Sequence, residues 1–201
     1  MPASRPIYEF PALPGPIAPS HAPNGSTAPL AHWAGDAANL LSDAFHWPEV
    51  PADAPADTPL AMWSGWIPDP DDPSPTFRHA SPLTWMPAAR AALEQRLLDA
   101  RRMGLALALR PHARHAISDV PGVLDLARRH EHARVLLDPL AMLTDDMLPR
   151  AADHLRRILS DLATLPTILA VVGGAHADLL ALIDELVPPH VPLVRPAETA
   201  P

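Results

Sequence analysis

The chain has 201 residues, enough for one hydrophobic core or for one domain with an extended arm. Its formal charge is −8 and all 15 basic residues are Arg, so the clustered positive charge that a nucleic-acid partner demands is not expected. Cysteine is absent, which excludes disulfides and thiolate metal sites, and no apolar run reaches the ~18 residues of a membrane span.

The first residues (MPASRPIYEFPALPGP) lack the continuous apolar stretch of a secretory signal, so a cytoplasmic protein is the expectation. Residues 1–59 read as a Pro-rich arm: eleven of the 28 prolines fall within the first 55 positions, and prolines interrupt helix and sheet ladders. One short helix is expected within it, over residues 32–45, because Trp33, Ala37, Leu40, Leu41 and Phe45 recur at helical spacing. Trp33, Phe45 and Trp47 imply that the arm packs on something, since disordered tails are poor in aromatics.

From residue 60 the pattern becomes regular, and 60–196 reads as one domain followed by a tail, 197–201. Residues 60–67 (LAMWSGWI) form an apolar strand run that stops at Pro68 and an acidic loop. A helix is expected over 83–103, ended by Gly104, and a second strand over 105–110, halted by Pro111. Ser118 is placed to cap a helix over 119–130, with Pro121 tolerated in its first turn. A third strand over 134–138 precedes a long helix opened by Thr144, Asp145 and Asp146, whose apolar positions reach Leu162 on one face. Residues 167–172 form a fourth strand ending in Gly173-Gly174, residues 177–187 a helix, and residues 191–194 a last strand. The strands starting at 105, 134 and 167 are 29 and 33 residues apart, a fitting length for a strand plus its crossover helix. They are nearly all apolar, as when helices cover one face and a core the other. The expected class is α/β, a partial or reduced (β/α) barrel-like parallel sheet with a Pro-rich N-terminal arm.

Three segments carry a family resemblance. Residues 62–73 (MWSGWIPDPDDP) resemble the strand-and-loop S-H-x-G-F-I-P-x-x-x-D-P of sugar phosphate isomerase/epimerase proteins with a xylose isomerase-like TIM barrel. Residues 137–143 (LDPLAML) are similar to that family's F-D-P-A-N-M, and residues 104–110 (GLALALR) to its G-V-x-L-A-L-E. The order and spacing agree over roughly residues 60–187. The resemblance implies a barrel with its site at the strand C-termini, holding a divalent metal on Glu, Asp and His that polarises sugar oxygens.

Position by position, that site is not kept. The His position is Trp63, the Glu position is the cation Arg110, and the Asn after Asp138 is Ala141. The fourth strand ends AVVGG where the family has H-x-x-D, and no final-strand Glu stands near residues 191–194. Asp138 alone remains. Neighbouring strands would set Arg110 beside Asp138, the guanidinium replacing a metal's charge; the plainer alternative has Arg110 reaching solvent while Asp138 caps its loop.

Other candidates have plainer explanations too. Trp63, Trp66 and Trp85 suit either a sugar-stacking pocket or core packing. His112, with His115, follows a strand, whereas His130 and His132 end a helix, so the four belong to opposite ends of a βα unit and read as solvated surface. Gly173 and Gly174 suit a phosphate-binding loop or a simple tight turn. Asp69, Asp71 and Asp72 lack the Gly and closing Glu of a calcium loop.

Only four or five strand–helix units are visible, fewer than a complete barrel's eight. The open side of the sheet is expected to be covered by the arm; homodimerisation, or irregular strands such as residues 7–10 completing a reduced barrel, are the alternatives. Functionally, the sequence reads as a non-catalytic, metal-free relative of those isomerases that binds a small sugar-like or anionic molecule or another protein. The alternative is an active isomerase or epimerase with an atypical site around Asp138 and Arg110, the one reading that calls for a divalent metal.

Overall fold

The computed structural model describes residues 4–49, 51–52, 54–55, 57–69, 71, 81–174 and 176–196. Asp72 of the acidic loop and the tail 197–201 lie outside the described residues.

Three strands come from the Pro-rich segment: β1 (Ile7–Phe10), β2 (Gly15–His21) and β3 (Ala31–Trp33). Five more follow: β4 (Leu60–Trp63), β5 (Leu107–Arg110), β6 (Ala133–Leu137), β7 (Ile168–Val172) and β8 (Leu193–Pro196). Together they close into an eight-stranded barrel in sequence order. Only β2 is antiparallel to its neighbours; β1 pairs in parallel with β8, matching Ile7 to Leu193 and Tyr8 to Val194. This corrects the expectation of an open sheet wrapped by the arm. The alternative in which residues 7–10 complete a reduced barrel is the one observed.

Among the described residues four α-helices lie outside, each between two parallel strands: α1 (Pro87–Arg102), α2 (Val120–Arg129), α3 (Ala151–Leu162) and α4 (Ala177–Leu186). Strand side chains alternate between two cores, as the period of two requires. Leu60, Met62, Leu107, Leu109, Val135, Leu137 and Val171 face outward onto helix residues such as Leu97, Val123, Leu159 and Ile183. Ala61, Trp63, Ala108, Leu136, Ala170 and Val172 face inward, with Tyr8, Phe10, Ile17, Ala31 and Trp33 from the first three strands. An eight-stranded barrel is just wide enough to be filled by side chains. Four interior alanines make room for two tryptophans.

Three local expectations shift. Residues 32–45 form no helix, because β3 claims Trp33 for the barrel interior and Gly35 turns the chain at φ +91°. Leu40, Phe45 and Trp47 instead pack on the outer core, and Arg96 of α1 holds the Leu40 and Ser42 carbonyls at 3.2 and 3.3 Å. Helix α2 is capped by Asp119, not Ser118: its Oδ1 accepts from Gly122 N at 2.8 Å. Likewise Thr144–Asp146 do not open α3, which begins at Ala151 behind a 3-10 turn at Leu148–Arg150.

Arg5 fastens the closure. Its guanidinium donates to the carbonyls of Pro188, Val191, Ile183 and Val187 at 3.0, 2.8, 3.2 and 2.8 Å, gathering acceptors from the last turn of α4 and the loop after it. Burial lowers its pKa from the ordinary value, against the opposing attraction of Asp184. Replacing Arg5 by Ala is expected to cost about 2–3 kcal/mol, because charge-assisted bonds are lost and buried carbonyls go unmet. The urea midpoint reads this directly.

Candidate functional site

The barrel's chemistry converges at the C-terminal ends of its parallel strands. Parallel pairing matches Trp63 with Arg110, so both side chains enter the interior side by side. Asp138 follows β6 on the same face as Leu136. Arg110 Nε and Nη2 both donate to Asp138 Oδ2, at 3.1 and 2.6 Å. The other carboxylate oxygen, Oδ1, accepts from Ala141 N at 3.1 Å. Asp138 therefore pairs with Arg110 and caps its loop at once.

Three aromatic rings enclose the guanidinium. Its central carbon lies 4.1 Å from the Trp63 ring centroid, 4.7 Å from Phe10 and 5.7 Å from Trp33. Phe10 meets Trp33 edge-on at 4.7 Å, and Trp33 meets Trp63 edge-on at 5.8 Å. The negative faces of such rings attract a cation, by about 2 kcal/mol where water is excluded. The Arg110 side chain is only 16% exposed and that of Asp138 7%. Charge neutrality and ring faces together make burial of the pair tolerable.

The cage is roofed. Trp63 Nε1 donates to Asp36 at 3.0 Å. Asn39 clamps the next loop, donating to Trp66 O at 2.6 Å and accepting from Trp66 N at 2.9 Å. Trp66 stacks on His115 at 5.1 Å, and His115 meets Trp63 edge-on at 5.3 Å. His115 is wholly buried, which corrects its reading as surface histidine. His112 is half-buried, 4.6 Å from His115, and its Nδ1 accepts from Arg114 N at 3.1 Å. His130, by contrast, sits with Nε2 at 2.6 Å from Glu94, at the opposite end of α2. Trp63 and Trp66 are 3% and 4% exposed, so neither offers a free face for a sugar to stack on, whereas Trp85 is 45% exposed.

Of the two readings of Gly173, the packing around it favours the plain turn over a phosphate-binding loop. Its N–H donates to Val194 O at 2.9 Å, so that group is spent on the β7–β8 ladder. A Cβ there would meet Leu193 Cδ1 at 2.7 Å, Leu180 Cδ2 at 3.2 Å and Ile183 Cδ1 at 3.3 Å. Gly174 faces Leu140. Gly173→Ala is expected to cost about 1–2 kcal/mol through overpacking, measured by thermal unfolding.

Among the described residues no three His, Asp or Glu side chains converge to hold a metal ion. At the mouth Asp138 is bound to a guanidinium and Asp36 to the Trp63 indole, an arrangement that does not fit a divalent cation. Sequence reasoning brought together Arg110, Asp138 and Trp63 but missed Phe10, Trp33, Asp36 and Asn39. All four lie in the segment read as an arm.

The fold and the mouth together define a closed, mostly parallel eight-stranded α/β barrel with an internal ion pair at its C-terminal end. No protein-family model matches the chain, and neither a curated protein nor a solved structure matches it. No described helix is long and apolar enough to cross a membrane.

Proposed function

We propose that the chain is a non-catalytic, metal-free binding or interaction domain, a relative of sugar phosphate isomerases whose catalytic mouth has been filled from within. One observation carries this reading: Arg110, caged by Phe10, Trp33 and Trp63, occupies the space beside Asp138 where chemistry on a substrate would need room. A general base must reach its proton with a free lone pair. Oδ2 of Asp138 accepts twice from Arg110 and Oδ1 once from Ala141 N, which leaves a single lone pair on a side chain that is 7% exposed. Kinship with the isomerases is supported by the order of the three motifs; the order Trp63, Arg110, Asp138 along adjacent strands keeps the positions of their ligands while changing the chemistry.

Elemental analysis of the purified protein, paired with an isomerisation assay on aldose and ketose phosphates, tests the proposal. The expected result is far less than one equivalent of Mn, Mg, Co or Zn per chain and no interconversion. A stoichiometric metal with turnover lost in Asp138→Asn would establish the atypical isomerase instead.

A further inference from the structure

We propose that the chain modifies itself at Asn24, in the exposed connection between β2 and β3, by closing a succinimide ring onto Gly25 and releasing ammonia. The chain has two asparagines, and their surroundings are opposite. Asn39 is buried, donates to Trp66 O, accepts from Leu41 N and Trp66 N, and is followed by a leucine. Asn24 is exposed and is followed by a glycine.

The local geometry favours attack of Gly25 N on Asn24 Cγ. Gly25 N donates to Ala22 O at 2.9 Å, closing a turn with Pro23 and Asn24 at its centre. Pro23 fixes the first φ and Asn24 has no positive φ, so the turn is type I, with Gly25 following at φ +69°. Ser26 N donates to Asn24 Oδ1 at 3.1 Å, an Asx turn that folds the side chain over its own following peptide. Ring closure needs that fold. The same N–H stands at the oxygen on which negative charge develops as the ring closes. Nothing lies within 4 Å of the place a Cβ on Gly25 would take, so the attacking nitrogen is uncrowded. One contact opposes the step, because the Gly25 N–H must leave Ala22 O. A turn bond exposed to water is worth little net, so this slows attack by about tenfold at most.

The chemistry needs only water. Hydroxide takes the Gly25 amide proton, the N–Cγ bond forms, the Cγ–Nδ2 bond breaks, and ammonia leaves with a proton from water. Water then opens the imide at either carbonyl. Breaking the N–Cγ bond gives an aspartyl residue. Breaking the bond from Gly25 N to the main-chain carbonyl of Asn24 gives an isoaspartyl residue, joined through its β-carboxyl. One water is consumed and one ammonia released, with no change of oxidation state. Each event adds a carboxylate to a chain already at −8, and the isoaspartyl product lengthens the backbone by a methylene. The change falls at the barrel floor. Gly15 pairs with Trp33 toward the mouth and Ile17 with Ala31 away from it, so the Arg110 cage is left as it is.

The test incubates the full chain at neutral and mildly alkaline pH and maps its peptides by mass spectrometry. Methyl transfer by an isoaspartyl methyltransferase is the second readout. Acid is expected to accumulate at position 24 in proportion to hydroxide, with isoaspartyl in excess of aspartyl, while Asn39 keeps its amide. Asn24→Gln, whose ring would need six members, should abolish methyl acceptance, and Gly25→Ala should slow it severalfold. Equal loss of both amides, an amide at position 24 that outlasts that of Asn39, or acid without isoaspartyl linkage overturns the assignment. Should Gly25→Ala distort the turn, Asn24→Gln and the comparison with Asn39 decide.

Discussion

Arg110→Met is expected to lower stability by about 3–5 kcal/mol, the range for removing one partner of a buried ion pair. The loss follows from what stays behind. The Asp138 carboxylate would stay buried, facing the rings of a cage built for a cation, with only the Ala141 N–H to support it. Asp138→Asn is expected to cost less, because Arg110 would still lie over three ring faces and the new side chain still accepts a hydrogen bond. Arg110→Met combined with Asp138→Leu should recover more than half of the single-variant loss, since well-packed apolar groups often replace a buried pair at little cost. Urea denaturation of the wild type, Arg110→Met, Asp138→Leu and the double variant measures this cycle. Additive losses would show that the two charges are independent and that the cage is not what holds them.

The second large effect concerns the Pro-rich segment. A variant lacking residues 1–47 is expected to show no cooperative unfolding transition and no near-UV signal from fixed aromatics. Five of the thirteen buried interior residues, Tyr8, Phe10, Ile17, Ala31 and Trp33, would be gone. Both β4 and β8 would be left as bare edges, which invites association between chains. A cooperative transition in the shortened chain, by circular dichroism, would mean that the parallel half folds alone.

The two halves of the fold differ in how legibly the sequence encodes them. Between residues 60 and 196, short apolar runs end at Pro, Gly or charged residues, and each run alternates with an amphipathic stretch; local rules suffice there. The β1–β2 ribbon defies them. Pro16 and Pro19 lie inside β2, where neither can donate to the ladder, so the segment reads as irregular. Ile17 holds it by burial, with no solvent exposure. That property appears only once β1 and β3 stand on either side.

The site divides in the same way. Arg110 and Asp138 were legible because adjacent parallel strands bring equivalent positions together. The cage was not, since Phe10 and Trp33 reach it from strands that no local pattern announces. His115 deceived for a related reason: a polar residue in a loop after a strand ordinarily meets water, and here Trp66 lies flat upon it.

The pairing of β1 with β8 has a temporal consequence. Ile7 must find Leu193, so the seam joins the first and the last of the eight strands, and Leu193 N bonds Pro6 O at 2.9 Å. During synthesis, everything emerging first must wait for the last strand before the cylinder can seal. Folding that depends on such distant partners is slow, and the waiting intermediate offers open strand edges to its neighbours.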